Sequence, residues 1–434
     1  MRFYLLRPVL VSMNSATMLP EEISFEKRLK KLLRREIRMS KGNRKRENNQ
    51  AENPKKSGKS WIAKVDAHDG FIFIPVFILL ALGVLTLYSS SSVFAGRQYG
   101  DAEHFLGKQV TWICLGLACL AFFARARTEW LYKRALQFWI FTLVLLVLVL
   151  IPGIGHLVSG ARRWIVLFGF GMQPSEFAKL STVLLLAVIL ARRQRKQVQA
   201  QSSLLFHVML MQIPVVLILM EPDLGTAIVL EGIILMMVFV AGLEVKAILL
   251  AGLAALPVLY HLIVATPFRL RRILSFIDPW AYRSTVGYQI TEALISLGSG
   301  GVLGEGLGKG KQKLFFLPEA HTDFIFAILG EELGFIGAFV VIAAFTVLVL
   351  KGLRLAGRQE GAFQAYLALG LTALIGLPAL LNVCVVTSLL PTKGLSLPFM
   401  SYGGSNLLVE LIAVGVLLRI ARDERNMFTQ ESKA

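Results

Sequence analysis

Long apolar stretches separated by short polar connections run through this chain from residue 70 onward. Each is about 17 to 25 residues long, the length an α-helix needs to cross a hydrocarbon core. Ten are read, at 70–95, 106–124, 135–152, 177–191, 203–220, 224–242, 245–265, 324–350, 362–390 and 398–420. The pattern predicts an all-α polytopic membrane protein of ten transmembrane helices, with a large extracytoplasmic loop at 266–323 between spans seven and eight. An even number of crossings returns both termini to one side.

Basic residues in the short connections orient the bundle. Arg125, Arg127, Lys133 and Arg134 follow span two; Arg192, Arg193, Arg195 and Lys196 follow span four; Lys351, Arg354 and Arg358 follow span eight. These three connections share one side, and an excess of Lys and Arg makes that side cytoplasmic. The loops at 153–176 and 266–323 and the polar stretch at 390–405 then face outward.

Composition agrees with a membrane setting and sets one segment apart. Hydrophobic residues make up 55% of the chain and charged ones 17%, yet the formal net charge is +18, much of it within residues 1–66. That segment contains SKGNRKRENNQAENPKKSGKS and is too charged to bury a core, so a mostly disordered cytoplasmic tail leaning on anionic membrane lipid is expected. Its basic residues have no folded domain or aromatic platform beside them, which argues against nucleic-acid binding. The expected division is the tail at 1–66, a ten-span domain at 67–424 and a short cytoplasmic tail at 425–434.

Two polar patches interrupt the apolar pattern. LPEAHTDFIF, Leu317 to Phe326, sets Glu319, His321 and Asp323 at the mouth of span eight. Ionisable groups are costly beside hydrocarbon, so a cluster there marks a functional site. Asp323 also reads as a helix N-terminal carboxylate complementing the dipole. Glu319 lies four residues earlier, so an early helix start would put both carboxylates on one face, where like-charge repulsion raises the proton affinity of one. The second patch, LPTKGLSLPFMSYGGS from Leu390 to Ser405, carries Lys393 and Ser401. Glu331 and Glu332 in span eight are expected to face the bundle interior or a water-filled cavity, Glu231 in span six to form part of a polar cavity, and Glu410 in span ten to make a private contact such as one to a partner helix.

Other motifs add little. Cys114, Cys119 and Cys384 lie in apolar spans without CxxC spacing, and no HExxH pair is present, so no metal site is indicated. GSGGVLGEGLGKGKQK, Gly298 to Lys313, satisfies neither phosphate-binding glycine motif and is expected to be a flexible outer loop whose Lys309, Lys311 and Lys313 attract anionic headgroups.

LPEAHTDFIFAILGEELG and PTKGLSLPFMSYGGS, with GARRWI at 160–165, QPSEFAKL at 173–180, EPDLGTA at 221–227 and GYQI at 287–290, resemble the SEDS family of shape, elongation, division and sporulation proteins. The resemblance covers residues 70–424, with the motifs in the family's order. Ala320 within PEAHTD makes the chain look closer to the cell-division branch than to the rod-shape branch.

The resemblance implies a peptidoglycan glycosyltransferase of the bacterial cytoplasmic membrane, acting at the septum on the lipid-linked disaccharide-peptide lipid II. Asp323 matches the family's essential carboxylate and is expected to be the general base. Lys393 and Arg163 are expected to hold the departing diphosphate. Glu319, His321 and Ser401 are further substrate-binding candidates. The implied partners are a class B penicillin-binding protein and other division membrane proteins. No cofactor is required by the motifs, although diphosphate chemistry leaves room for Mg or Mn. A lipid II flippase and a non-catalytic scaffold recruiting a transpeptidase are the alternative readings.

Overall fold

The computed structural model describes residues 67–431 apart from 159, 168–169, 196–200, 265–266 and 315, so the expectation for the tail at 1–66 lies outside the described residues. Every expected span is a helix. The chain runs through α1 (Ala67–Tyr99), α2 (His104–Phe123), α3 (Thr128–Leu150), α4 (Pro174–Arg195), α5 (Gln201–Met220), α6 (Leu224–Val240) and α7 (Val245–Val264). Two shorter helices follow, α8 (Pro267–Ile277) and α9 (Tyr288–Ser299). The bundle closes with α10 (Ile325–Arg358), α11 (Ala362–Val386) and α12 (Gly404–Glu431). Among the described residues seven helices are long and apolar enough to cross a membrane, and Leu204–Met220 and Leu224–Val240 are shorter apolar helices.

The centre of the bundle is α4. Apart from Phe177 and Ile189, every residue from Pro174 to Ala191 is buried, as an all-round apolar helix requires. It packs against α3, α6, α11 and α12. Polar groups on so buried a helix need partners. Ser181 shares a 2.6 Å hydrogen bond with Thr142 of α3, and Lys179 pairs with Glu176 at 2.8 Å. Outward faces carry bare apolar side chains such as Phe77, Phe141 and Phe206, which suit a lipid solvent.

Two long polar connections are more ordered than their composition suggests. Residues 153–176, read from sequence as a loop, contain a three-stranded antiparallel meander of β1 (His156–Val158), β2 (Ala161–Leu167) and β3 (Phe170–Met172). Ile165 pairs with Met172 and Leu157 with Arg162. The alternation of β2 sends Arg163 and Arg162 to opposite faces.

The glycine-rich segment departs from expectation. It is anchored into a break in α10, where Gly334 has φ 65° and ψ −163°, a backbone region open essentially to glycine alone. Around this break the N–H groups of Glu305 and Gly306 donate to the carbonyls of Glu331 and Glu332, while those of Phe335 and Ile336 donate to Gly301 and Val302. The segment thus satisfies backbone groups that the interrupted helix leaves open, the condition for irregular backbone at membrane depth. Glu331 accepts the Lys311 N–H at 2.6 Å, and buried Lys313 pairs with buried Glu332 at 2.7 Å. Lys313 is therefore an internal ion-pair partner and not a headgroup attractor.

Candidate functional site

The site is assembled from four connections at one end of the bundle. On β2, Arg163 donates from Nε to the carbonyl of Glu221 at 3.2 Å and from Nη2 to that of Pro222 at 2.6 Å. It also approaches the Asp223 carboxylate at 3.9 Å. Asp223 caps α6, accepting the Thr226 N–H at 3.1 Å and the Thr226 hydroxyl at 2.9 Å. The meander thereby clamps the EPDLG turn and fixes where α6 begins.

That beginning touches the next connection. A Cβ placed on Gly225 would lie 3.1 Å from the carbonyl of Gly394, and one placed on Gly394 would lie 2.8 Å from Asp323 Oδ2. Glycine at 394 lets the backbone pass directly over the carboxylate. Asn382 of α11 ties both strands of this crossing, its Nδ2 donating to the carbonyls of Asp323 at 2.8 Å and Leu395 at 2.5 Å. Arg272 of α8 comes from the other side, with Nη1 donating to the carbonyl of Thr392 at 3.4 Å. Lys393 is thus flanked by Thr392, which holds Arg272, and Gly394, which covers Asp323.

The PEAHTD segment is a turn, not the first turn of a helix. Glu319 has φ 55° and accepts the Thr322 and Phe324 N–H groups on its carbonyl at 3.1 and 3.2 Å, and α10 begins only at Ile325. The shared helical face proposed for Glu319 and Asp323 therefore does not form. Folding of the turn still brings the Glu319 charge close enough to act on Asp323.

Electrostatics at Asp323 are opposed. Burial, then Glu319 and Asp223, push its pKa up to about 7 against the pull of Arg272 and Arg163. Burial also lowers Arg272, with Asp323 opposing the shift. Fully buried Glu221 is pushed up to about 8, chiefly by burial and then by Asp223, with Arg163 opposing. Burial thus pushes both carboxyls toward their neutral forms, with Asp223 adding to the shift in each case.

Asp323 and Arg163 converge through these contacts, with half-buried Lys393 on the backbone between Thr392 and Gly394 and Glu319 exposed at the rim. His321 is drawn into an aromatic group, its ring centroid 4.9 Å from Phe105 and 5.7 Å from Phe94, and burial lowers its pKa against the pull of Glu319. Ser401 is buried and its hydroxyl bridges two connections, donating to the Thr322 carbonyl at 2.6 Å and accepting the Leu397 N–H at 2.8 Å. Arg272 and Glu221 were missed as site residues. For Arg272 a signal existed, because the cluster Arg269, Arg271 and Arg272, in a segment expected to be an outward loop, runs against the cytoplasmic bias of basic residues. Among the described residues no three His, Cys, Asp or Glu side chains are placed to hold a metal ion.

Comparison with known proteins fits this arrangement. Residues 70–426 match the FtsW/RodA/SpoVE family, described as cell cycle protein. A Geobacter sp. (strain M18) protein named probable peptidoglycan glycosyltransferase FtsW is 41% identical over 358 residues, 82% of this chain and 98% of the relative. Stage V sporulation protein E of Bacillus subtilis is 37% identical, covering 83% and 99% of the two chains. In three dimensions a chain of a peptidoglycan synthase complex that coordinates polymerization and crosslinking superposes with a TM-score of 0.66 at 29% identity, over 84% of this chain and 99% of that one. The rod shape determining protein RodA of Thermus thermophilus gives 0.61 at 29% identity, over 84% and 98%. The chain is therefore a multi-pass membrane protein with the RodA fold, and it belongs to the FtsW/RodA/SpoVE family.

Proposed function

We propose that this chain is a peptidoglycan glycosyltransferase that polymerises lipid II for the septal wall in cell division. The names of its relatives support the activity and the branch. The observation that carries the assignment of chemistry is Asp323, a carboxylate pushed up to about 7, covered by Gly394 and acted on by the charges of Arg272 and Arg163. A general base works best when its pKa lies near the working pH.

In this reading the acceptor sugar hydroxyl gives its proton to the Asp323 carboxylate as its oxygen attacks the anomeric carbon of the donor. The bond from that carbon to the diphosphate oxygen breaks, and undecaprenyl diphosphate leaves with the electron pair. In-line attack inverts the α-linked donor to a β linkage. Lys393 and Arg272 stabilise the charge that grows on the diphosphate, a role that preorganised cations fill without reorganising. Arg163 sets the EPDLG turn against the site and adds its field. Glu319 raises the basicity of Asp323, while His321 and Ser401 hold the turn in place. Mg or Mn could be recruited by the diphosphate itself, and no step here is assigned to it.

Gathering of these groups at one end of the bundle favours an enzyme over a flippase, whose binding groups are expected near the midplane. The site faces outward across the cytoplasmic membrane, with both termini inside, and a class B penicillin-binding protein is the partner in the division assembly. The test is polymerisation of labelled lipid II by the purified chain with its cognate transpeptidase. Polymer from wild type and none from a folded, partner-bound Asp323→Asn variant supports the reading. Equal polymer from both removes Asp323 as base, and none from either shifts weight to flippase or scaffold.

A further inference from the structure

A second concavity lies at the same end of the bundle, between the 280–288 turn, α9 and the segment that leads into Leu317. Its volume is about 870 Å³, within the range of ligand sites of about 300 to 1,000 Å³. The lining includes Trp280, Arg283, Tyr288, Glu292, Lys311 and Phe316. Trp280 and Phe316 are 55% and 52% exposed, so two aromatic faces stand open along the cleft. The Arg283 guanidinium lies 5.9 Å from the Trp280 ring centroid and is held by buried Glu292 at 3.1 Å. Lys311 is exposed at its side chain and fixed at its backbone by Glu331. The aromatic faces and the cations are thus presented on anchored backbone.

We propose that this cleft binds the nascent glycan strand, an inference that rests on the glycosyltransferase reading. Flat rings suit the apolar faces of sugars, and the wet, amphipathic setting suits a ligand half polar and half apolar. Glu292 neutralises Arg283, so Lys311 leaves the cleft with a net positive charge that attracts the carboxylates of peptide stems. Phe316 and Asp323 stand on one short segment of chain, so the cleft lining runs directly into the turn that carries the carboxylate. The shape is concave, which favours a threaded polymer over a flat protein surface.

The experiment uses the full chain with its cognate transpeptidase. Soluble, uncrosslinked glycan oligomers bearing peptide stems are titrated against wild type, Trp280→Ala, Lys311→Glu and, in case either fails to fold, Phe316→Ala. Expected is roughly tenfold weaker oligomer binding in each folded variant, as for loss of an anchor contact, together with shorter strands made from lipid II. Unchanged binding and unchanged strand length overturn the inference. Loss of transpeptidase binding with oligomer binding intact also overturns it, because the cleft would then be a protein dock. If wild type makes no polymer, the glycosyltransferase reading fails, while oligomer titration still decides the cleft.

Discussion

A carboxylate becomes a base at neutral pH only if its surroundings resist ionisation without forbidding it, and the balance at Asp323 meets that condition. The ionised form is the base. Activity should therefore climb as pH rises through about 7 and level off above it, as measured by initial rates of lipid II polymerisation. Asp323→Asn should lower the rate by about 10² to 10⁴ at every pH. Stability should move in the opposite sense. Because folding raises this pKa, its favourable contribution is present below the ordinary carboxylate value and is lost as pH rises toward about 7. Thermal unfolding should show Asp323→Asn above wild type near pH 8, with the gap closing near about pH 4. Arg272 holds the Asp323 pKa down. Arg272→Ala should displace the activity midpoint to higher pH and raise KM for lipid II, and Arg272→Lys should recover most of the midpoint. Asp323, Lys393 and Arg163 were legible as residues because each stands in a motif. Glu221 stands in the EPDLGTA motif and Arg272 in a basic cluster, but their place at the site depends on helices and turns far apart in sequence.

Helices were legible and their interruptions were not. Hydropathy locates an apolar run, but Gly334 inside GEELG looks like any small residue until Val302 and Gly304 arrive beside it. A Cβ at 334 would lie 2.6 Å from the Val302 carbonyl oxygen and also strike the Gly304 N–H. Gly334→Ala should cost at least about 1 to 3 kcal/mol from backbone strain alone, read as a lowered melting temperature. Lys313 was misread for the same reason: a lysine in a glycine-rich segment looks solvated, while its partners Glu332 and Ser89 lie on other elements. Lys313→Met strands a buried carboxylate and should cost about 3 to 5 kcal/mol, whereas Lys313→Met with Glu332→Leu should recover much of it. The start of α12 shows a milder shift. The apolar run begins at 398, yet the helix waits until Gly404 because Glu410 accepts the Phe399 N–H at 2.7 Å and holds Phe399 at φ 62°.

At the scale of the whole molecule, orientation follows from where charge can cross a bilayer. Helices α2 and α3, α4 and α5, and α10 and α11 are joined at one end of the bundle by connections rich in Arg and Lys, and the proposed catalytic cluster occupies the other end. Short connections of this kind resist translocation, which is the ground for proposing that the basic end lies inside. The arginines at the opposite end do not contradict this. Arg163 is tied to the EPDLG turn and Arg272 to Thr392, so they belong to folded surface and not to a short connection. With ten crossings and a cytoplasmic basic end, the proposed orientation has Asp323 facing outward, where a lipid-linked sugar donor delivered across the membrane would meet it. The arrangement predicts a labelling pattern in intact cells. After replacement of Cys114, Cys119 and Cys384, a membrane-impermeant maleimide should react with Lys309→Cys at the outer end and fail to react with Arg358→Cys until the cells are opened. The reverse pattern would put the carboxylate on the cytoplasmic side and exclude it from outward polymerisation.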